Sequence, residues 1–360
     1  MRSRRGVKSD ALESIDGTGG SPCVRPPLHT GGMTTSIAAT LKSVTLGNPQ
    51  TFQNLALFPL LSAVPSTPDY VTLAEALKGS QVRVTEVSAG GVVPELLLDN
   101  ASPKRVLLLD GDELVGAKQN RVLNITILVG ANQKVVIPVS CVERGRWNSR
   151  STEFSSEDRM MFAMGRAEKM ASVSRSMRES GTRRSDQGAV WESVGRKATL
   201  FQAAAPSEAM SDVYKHVGGD IREYRKAFRA SPRQVGAVFA IDGRPVGLEM
   251  FDSPETFAST LGRLVESYAL DAIEEPGQST GQPDTARAAA FVARASGARS
   301  EVVKAVGEGE DVRLEAPGLV GEALVVDGRV VHLSALELAG EGSRAERASA
   351  RARRVSTRSR

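Results

Sequence analysis

The chain has 360 residues, of which 41% are hydrophobic, and a formal net charge of +4. Residues 1–32 carry a net charge of +2 and residues 341–360 a net charge of +5, so the residues between them carry −3. The basic surplus therefore lies at the two ends, and the charge balance gives no reason to expect a core that binds nucleic acid. The length and hydrophobic content suffice for one large or two small domains.

Other sequence features argue against an exported or membrane-bound protein. No apolar run approaches the roughly 18 residues of a membrane-spanning helix, and no apolar segment follows the N-terminal arginines as in a secretory signal. The two cysteines, Cys23 and Cys141, lie far apart in segments of different character, which fits a reducing compartment. We therefore expect a cytoplasmic protein that does not associate with membranes.

The ends of the chain differ in character from its centre. Residues 1–32 lack hydrophobic periodicity and are predicted to be a disordered leader, and residues 340–360 a disordered basic tail. A more regular sequence opens at Met33, which we take as a hypothetical natural start. The ordered region is predicted to span 45–337, and the sequence leaves open whether it forms one domain or two lobes, 45–150 and 151–337.

The first part of the ordered region alternates strand-like and helix-like patterns. Asn54–Ser62 is predicted as a strand at a sheet edge, because Pro59 interrupts it. Asp69–Lys78 is predicted as a short helix ended by Gly79, and Val82–Val87 alternates as a strand does. Two further apolar runs follow, at 95–98 and 106–109.

Two β-rich runs, Val122–Gly130 and Val135–Val142, flank turn residues at 130–133 and predict an antiparallel hairpin. Pairing of residues near 128 with residues near 135 would set Arg121 opposite Val142 and Asn120 opposite Glu143. The polar residues before the first run and those after the second would then meet at the open end of the hairpin.

The second half is predicted to begin with helices and to end with strands. Helical spacing predicts helices at 156–180 and 189–205, two shorter helical segments at 207–216 and 221–228, and a helix at 285–306. A hairpin with an Asp242-Gly243 turn and a helix that starts at Asp252-Ser253-Pro254-Glu255 lie between them. Residues 276–283 read as a linker, and strands are predicted around Asp327-Gly328.

Together these elements predict an α+β fold. It would contain a mixed or antiparallel sheet with a central β-hairpin, a helical middle segment and a C-terminal hairpin–helix–strand unit.

Each group of polar residues near the predicted hairpin admits two interpretations. Asp110, Asp112 and Glu113 suit acid–base chemistry or a hard cation, or they are exposed charges of a turn. Arginine and lysine at 118, 121 and 146 suit a phosphate, or they pair with the carboxylates of Glu113 and Glu143. The amides at 119 and 120 suit a base edge, or they cap backbone groups at the strand ends.

Two side chains near the hairpin end are expected to serve packing rather than chemistry. Cys141 continues the apolar row of Val135, Ile137 and Val139, so burial is favoured over a role as nucleophile. Trp147 suits stacking on a nucleobase, but packing is favoured. His216 and His332 are the only histidines of the predicted ordered region, so a multi-histidine zinc site is excluded by count, and no metal site is predicted.

Four segments carry a family resemblance: DGDELVGAKQNR, PVSCVERGRW, VGAVFAIDGRPVGLEMFDSPETF with LVESYALDAI, and GRVVHLSALEL. In this order they resemble the ARG and rhodanese-phosphatase-superfamily-associated protein domain family, with ARG taken as ADP-ribosylglycohydrolase. The resemblance covers about residues 45–337. It implies a link to NAD or ADP-ribose metabolism and leaves the reaction and the cofactor open.

The favoured hypothesis is a ligand-binding or regulatory protein that recognises a phosphorylated, nucleotide-like small molecule. One alternative is a hydrolase of an ADP-ribose-like or phosphorylated substrate with catalytic carboxylates at 110–113, and another is a structural or partner-binding protein. No catalytic residue is assigned and the oligomeric state stays open. The predicted ligand-binding residues are Asp110, Glu113, Lys118, Gln119, Asn120, Arg121, Ser140, Glu143, Arg146 and Trp147.

Overall fold

The computed structural model describes residues 31–338, except residues 65, 89, 149, 204 and 275–282. In this part the chain combines helices with three β-sheets, and the predicted α+β class is confirmed. The predicted leader, basic tail and 276–283 linker lie wholly or almost wholly outside the described residues. No helix in the described ranges is long and apolar enough to cross a membrane.

Up to residue 160 the elements are, in chain order, α1 (Gly31–Ser43), β1 (Val44–Leu46), β2 (Gln50–Phe52), β3 (Leu55–Ser62), β4 (Tyr70–Thr72), α2 (Leu73–Lys78), β5 (Val82–Glu86), β6 (Glu95–Asn100), β7 (Arg105–Leu108), β8 (Asp112–Gly116), β9 (Arg121–Leu123), β10 (Ile127–Val129), β11 (Gln133–Cys141) and β12 (Phe154–Met160). After it they are α3 (Ala163–Ser180), α4 (Gln187–Phe201), α5 (Met210–His216), α6 (Gly218–Ala227), β13 (Gln234–Ile241), β14 (Arg244–Phe251), α7 (Pro254–Glu274), α8 (Thr285–Ser296), β15 (Arg299–Lys304), β16 (Glu310–Ala316), β17 (Leu319–Val326) and β18 (Arg329–Glu337).

The largest sheet has nine antiparallel strands in the order β1-β3-β13-β14-β18-β17-β16-β15, with β2 also paired to β3. Leu55 and Leu57 of β3 face one hydrophobic core, whereas Ala56 and Phe58 face another. Because both faces are buried, β3 reads as a continuous apolar run rather than an alternating one.

The predicted edge position of this strand is wrong, since β3 pairs on both sides. Proline is tolerated there because β2 pairs with residues 55–57 and β1 with residues 60–62, so Pro59 falls in the gap between the two short strands. The missing N–H therefore interrupts no ladder on that side.

A six-stranded sheet, β12-β8-β9-β11-β6-β5, and a three-stranded sheet, β10-β7-β4, carry the predicted hairpin region. The prediction is wrong in two respects. The first run is split, because β9 pairs with β11 whereas β10 joins β7 in the other sheet. The register is also offset by one residue, since Arg121 lies opposite Cys141 rather than Val142. Both strands of the split run are buried on both faces, so no alternation in the sequence reveals the register.

Three predicted helices are partly strand. The segment 69–78 begins with β4, which pairs with β7, and becomes helical only at Leu73. The segment 156–180 begins with β12, which pairs with β8, and becomes helical only at Ala163. The segment 285–306 stops being helical after Ser296 at Gly297, and β15 then pairs with β16. In all three cases pairing with a distant strand overrides a local helical pattern.

Locally encoded features are confirmed. The Asp242-Gly243 turn joins β13 to β14, and both residues have positive φ, 49° and 72°, as a two-residue hairpin turn requires. The Ser253 hydroxyl caps α7 by accepting a hydrogen bond from the Glu255 N–H at 3.1 Å. Asp327-Gly328 forms the same kind of turn between β17 and β18.

Candidate functional site

The ends of β9 and β11 bring two polar segments together, although they are more than twenty residues apart in the chain. The Gln119 side-chain amide donates to the Glu143 carbonyl at 2.9 Å, and the Asn120 N–H donates to the Glu143 carboxylate at 2.9 Å. Residues 118–121 and 143–147 thus form one polar cluster, called here the strand-end cluster.

Glu143 and Arg146 form the fixed part of the strand-end cluster. The guanidinium of Arg146 binds both carboxylate oxygens of Glu143, at 2.7 and 2.6 Å. It also donates to the carbonyls of Gly116, Ala117 and Asn148 and to the Asn120 side chain. Of the two interpretations of Arg146, the geometry matches pairing with Glu143, because its hydrogen-bonding capacity is used by its own chain.

Arg121 is buried in a different way. Its side chain is 0% exposed, and its one hydrogen bond to a described residue is from Nη1 to the Gln119 side-chain oxygen at 3.1 Å. Nε and Nη2 are buried and have no hydrogen-bond partner among the residues that the structure describes. Burial lowers the pKa of Arg121, although Cys141 and Glu86 act in the opposite direction. A bound anion would satisfy the two free nitrogens and offset this cost of burial.

Glu86, at the end of β5, is close enough to Arg121 for the opposite charges of the two side chains to interact. Both of its carboxylate oxygens are buried, and no described residue forms a hydrogen bond with them. The two side chains influence one another's charge but lie farther apart than the 4.0 Å of an ion pair. Gly91 lies beside this carboxylate, since a Cβ there would be 3.2 Å from Glu86 Oε2 and 3.2 Å from Lys118 Cδ. Glu86 is not among the predicted site residues, because nothing in the VRVTE pattern of its strand marks it.

Trp147 supplies an accessible aromatic surface beside these charges. The residue is 46% exposed, with Lys118 Nζ at 5.3 Å and Arg121 Cζ at 5.8 Å from its ring centroid. Lys118 also donates to the Gly90 carbonyl at 2.5 Å, which fixes its position. A half-exposed indole flanked by two cations can hold a planar group and an anion together. We call Glu86, Lys118, Arg121 and Trp147 the Arg121 site.

Asp110 does not belong to the strand-end cluster. It forms ion pairs with Lys169 and, at 3.2 Å, with Arg166, and all three side chains are at most 1% exposed. Arg166 continues this buried network to Glu249 at 2.7 Å. Burial raises the pKa of Asp110 more than the neighbouring cations lower it. Asp110 thus occupies a buried ion-pair network between α3 and the sheets, not a solvent-facing turn.

Glu113 and Ser140 point away from Arg121 because of strand alternation. Across β8, β9 and β11, Glu113 is paired with Val122 and Val122 with Ser140, whereas Arg121 is in the neighbouring row with Cys141. Glu113 binds Arg159 at 3.0 Å, and the Ser140 hydroxyl donates to the Asn124 side chain at 2.5 Å.

The predicted burial of Cys141 is confirmed at 0% exposure. Burial raises the pKa of its thiol, and the Sγ–H donates to the Glu143 carbonyl at 3.2 Å. A protonated, enclosed thiol is a poor nucleophile. Within the described ranges, no group of three or more His, Cys, Asp or Glu side chains is arranged to hold a metal ion.

The comparisons with known proteins give one match. The profile of the ARG and Rhodanese-Phosphatase-superfamily-associated Protein domain, ARPP-1, matches residues 43–336. Neither a curated protein nor a solved structure matches the chain.

Proposed function

Since the chain belongs to the ARG and Rhodanese-Phosphatase-superfamily-associated Protein domain family, we propose that it is a binding or regulatory protein for a phosphorylated, nucleotide-like molecule related to ADP-ribose. The ligand would occupy the Arg121 site. Its phosphate would accept hydrogen bonds from Arg121, and its planar base would lie on Trp147.

The observation that carries this proposal is the pair of unsatisfied buried groups. Arg121 has two nitrogens that need acceptors, and Glu86 has two oxygens that need donors. Leaving buried charged groups without hydrogen bonds is unfavourable, so such groups point to a missing partner. A nucleotide-like molecule offers both kinds of partner, because its phosphate accepts and its ribose hydroxyls or exocyclic amine donate.

Charge and family both support an anionic ligand. Lys118 and Arg121 outnumber Glu86, whereas Glu143 and Arg146 neutralise one another beside them. The family name links the domain to the phosphatase superfamily and to ARG, which we take as ADP-ribosylglycohydrolase. The family name and the charges of the Arg121 site therefore both favour a phosphorylated ligand related to ADP-ribose.

A thermal-shift experiment on the full chain tests the proposal. ADP-ribose, NAD, AMP and inorganic phosphate are added with and without Mg²⁺ or Mn²⁺. A ligand present at 100 times its dissociation constant should stabilise the fold by about 2.7 kcal/mol. We expect the shift to disappear in Arg121→Met and to persist in Arg150→Met, the matched control, whose side chain is 63% exposed and 3.9 Å from Glu143.

Glu86→Gln refines the test. It should weaken binding of ADP-ribose, whose hydroxyls can donate to the carboxylate, more than binding of inorganic phosphate at the same site. The proposal is contradicted by a shift of equal size in wild type and Arg121→Met, or by no shift with any of the four compounds.

Hydrolysis of such a molecule is the second candidate function. Asp112 and Glu113 each keep one buried carboxylate oxygen without a hydrogen bond in the described part of the chain, and burial raises the pKa of both. A raised pKa is what a general acid requires near neutral pH. Chromatographic detection of product from ADP-ribose, lost in Asp112→Asn, would favour the hydrolase; binding without product would favour the binding protein.

A partner-binding role has less support. The exposed large apolar side chains of the described residues are few and separate in the sequence: Val64, Val92, Val136 and Trp147. Single exposed apolar residues are normal on soluble proteins, whereas partner surfaces are usually contiguous patches.

A further inference from the structure

A cavity lies away from the Arg121 site, between α2, β5, β12 and α7. It has a volume of about 660 Å³, within the range of small-molecule sites. Hydroxyl-bearing residues are frequent in its wall, namely Thr72, Ser80, Ser155, Ser156 and Ser259. None of the four residues of the Arg121 site lines it.

Arg263 of α7 lines this cavity and is 3% exposed. Its side chain makes no hydrogen bond to any described residue. Its polar contacts are two loose ion pairs, from Nε to Asp112 at 3.5 Å and from Nη1 to Asp158 at 3.6 Å. By contrast, the equally buried Arg166 has hydrogen bonds to Asp110, Glu249 and a serine. A buried guanidinium with unused donors beside a cavity indicates a site for a ligand with oxygen acceptors.

Asp158 holds an unusual backbone conformation at the edge of the same cavity. Its φ is +50°, at the point where the register of β12 against β8 shifts between Ser156 and Met160. A β-bulge of this kind re-aims a side chain. Here the Asp158 carboxylate reaches both Arg263, at 3.6 Å, and Arg225, at 3.3 Å. The two carboxylates of Asp112 and Asp158 therefore position Arg263 without saturating it.

The side chains of the cavity wall indicate the chemical class of its ligand. Glu75 is used by the cap of α2, where it binds Thr72, and Arg83 pairs with Glu153 at 3.7 Å. The cations and carboxylates of the wall balance, with Lys78, Arg83 and Arg263 against Glu75, Glu153 and Asp158. The unused donors of Arg263 favour an oxoanion, and the surrounding hydroxyls favour a hydroxylated carbon skeleton.

We propose that this cavity binds a small hydroxylated molecule with one oxoanion group, which Arg263 holds through its free N–H donors. The oxoanion is a phosphate or a carboxylate. Both accept the parallel hydrogen bonds that a guanidinium offers.

Calorimetric titration tests this inference in the Arg121→Met background, so that binding at the Arg121 site cannot contribute. The probes are ribose 5-phosphate and gluconate, which distinguish the two oxoanions. Arg263→Met should weaken binding of the preferred probe at least about tenfold, because hydrogen bonds to a charged group are lost. Arg287→Met, at a side chain of α8 that is 62% exposed and outside the cavity wall, is the matched control and should bind as its parent does.

A second variant keeps the test decisive if Arg263→Met fails to fold. Ser259→Trp, at an exposed position of α7 in the cavity wall, leaves Arg263 in place and fills the cavity. It should block the probe while the melting temperature stays close to that of its parent. The inference is overturned if neither probe binds the Arg121→Met protein, or if Ser259→Trp binds the preferred probe as tightly as its parent.

Discussion

Replacing Arg121 or Arg146 by methionine should change the stability of the protein by very different amounts, although both arginines are buried within one cluster. Arg146→Met removes the guanidinium that binds both oxygens of Glu143. The carboxylate of Glu143, 0% exposed, would keep only the loose 3.9 Å contact with the exposed Arg150 as an ion pair. Breaking a buried ion pair in this way lowers the free energy of unfolding by about 3–5 kcal/mol.

Arg121→Met should change the free energy of unfolding less, because its stabilising and destabilising effects partly cancel. It loses one hydrogen bond, to Gln119, worth about 1 kcal/mol. It also removes two buried nitrogens without partners, each of which costs about 1–3 kcal/mol if nothing satisfies it. Methionine keeps much of the apolar stem. Without ligand, the free energy of unfolding should therefore stay within about 1 kcal/mol of wild type or rise.

Urea unfolding, followed by circular dichroism and by fluorescence, measures both changes in the absence of ligand. A midpoint that falls strongly for Arg146→Met and little for Arg121→Met supports the division between a structural and a binding arginine. Equal, large losses for the two variants would refute it, because Arg121 would then be part of the structural network.

Three further predictions concern the fold. Burial alone would raise the pKa of Glu249, but Arg166 and His332 lower it from 4.5 to about 2. The stabilising contribution of the ionised carboxylate is therefore present above pH 4.5 and is lost as the pH falls toward 2. The difference in unfolding free energy between wild type and Glu249→Gln should thus shrink by about 2 kcal/mol between pH 4.5 and pH 3, and a constant difference in urea titrations would contradict this. Gly247→Ala should lower the free energy of unfolding by about 1–3 kcal/mol, because its Cβ would lie 2.1 Å from the Tyr268 hydroxyl. Gly195→Ala lies within α4, and no described atom lies within 4 Å of the added Cβ, so this change should raise the free energy of unfolding by about 0.5–1 kcal/mol. The melting temperatures of the two alanine variants should therefore move in opposite directions.

Features encoded by neighbouring residues could be predicted from the sequence. The Asp242-Gly243 turn follows from the positive φ that a two-residue hairpin turn demands, and the start of α7 follows from Ser253 and Pro254. The burial of Cys141 followed from alternation along β11. In each case a few adjacent residues determine the local geometry.

Features that depend on distant pairing could not be predicted. The run 122–130 is buried on both faces, so its pattern cannot show that β9 and β10 belong to different sheets. Glu86 and Arg121 come from strands three places apart in one sheet, so their proximity depends on the tertiary packing of that sheet. The separation of Asp110 from the strand-end cluster has the same origin, since its partner Lys169 comes from a helix 59 residues away.

The most direct test of the Arg121 site is the fluorescence of Trp147 on addition of ADP-ribose. The chain has two tryptophans, so Trp191→Phe leaves Trp147 as the single indole. Stacking of a base on the ring should change its emission, and the change should saturate with ligand and vanish when Arg121→Met is added. Binding of ADP-ribose that leaves the emission of Trp147 unchanged, or a response that survives Arg121→Met, would contradict the account.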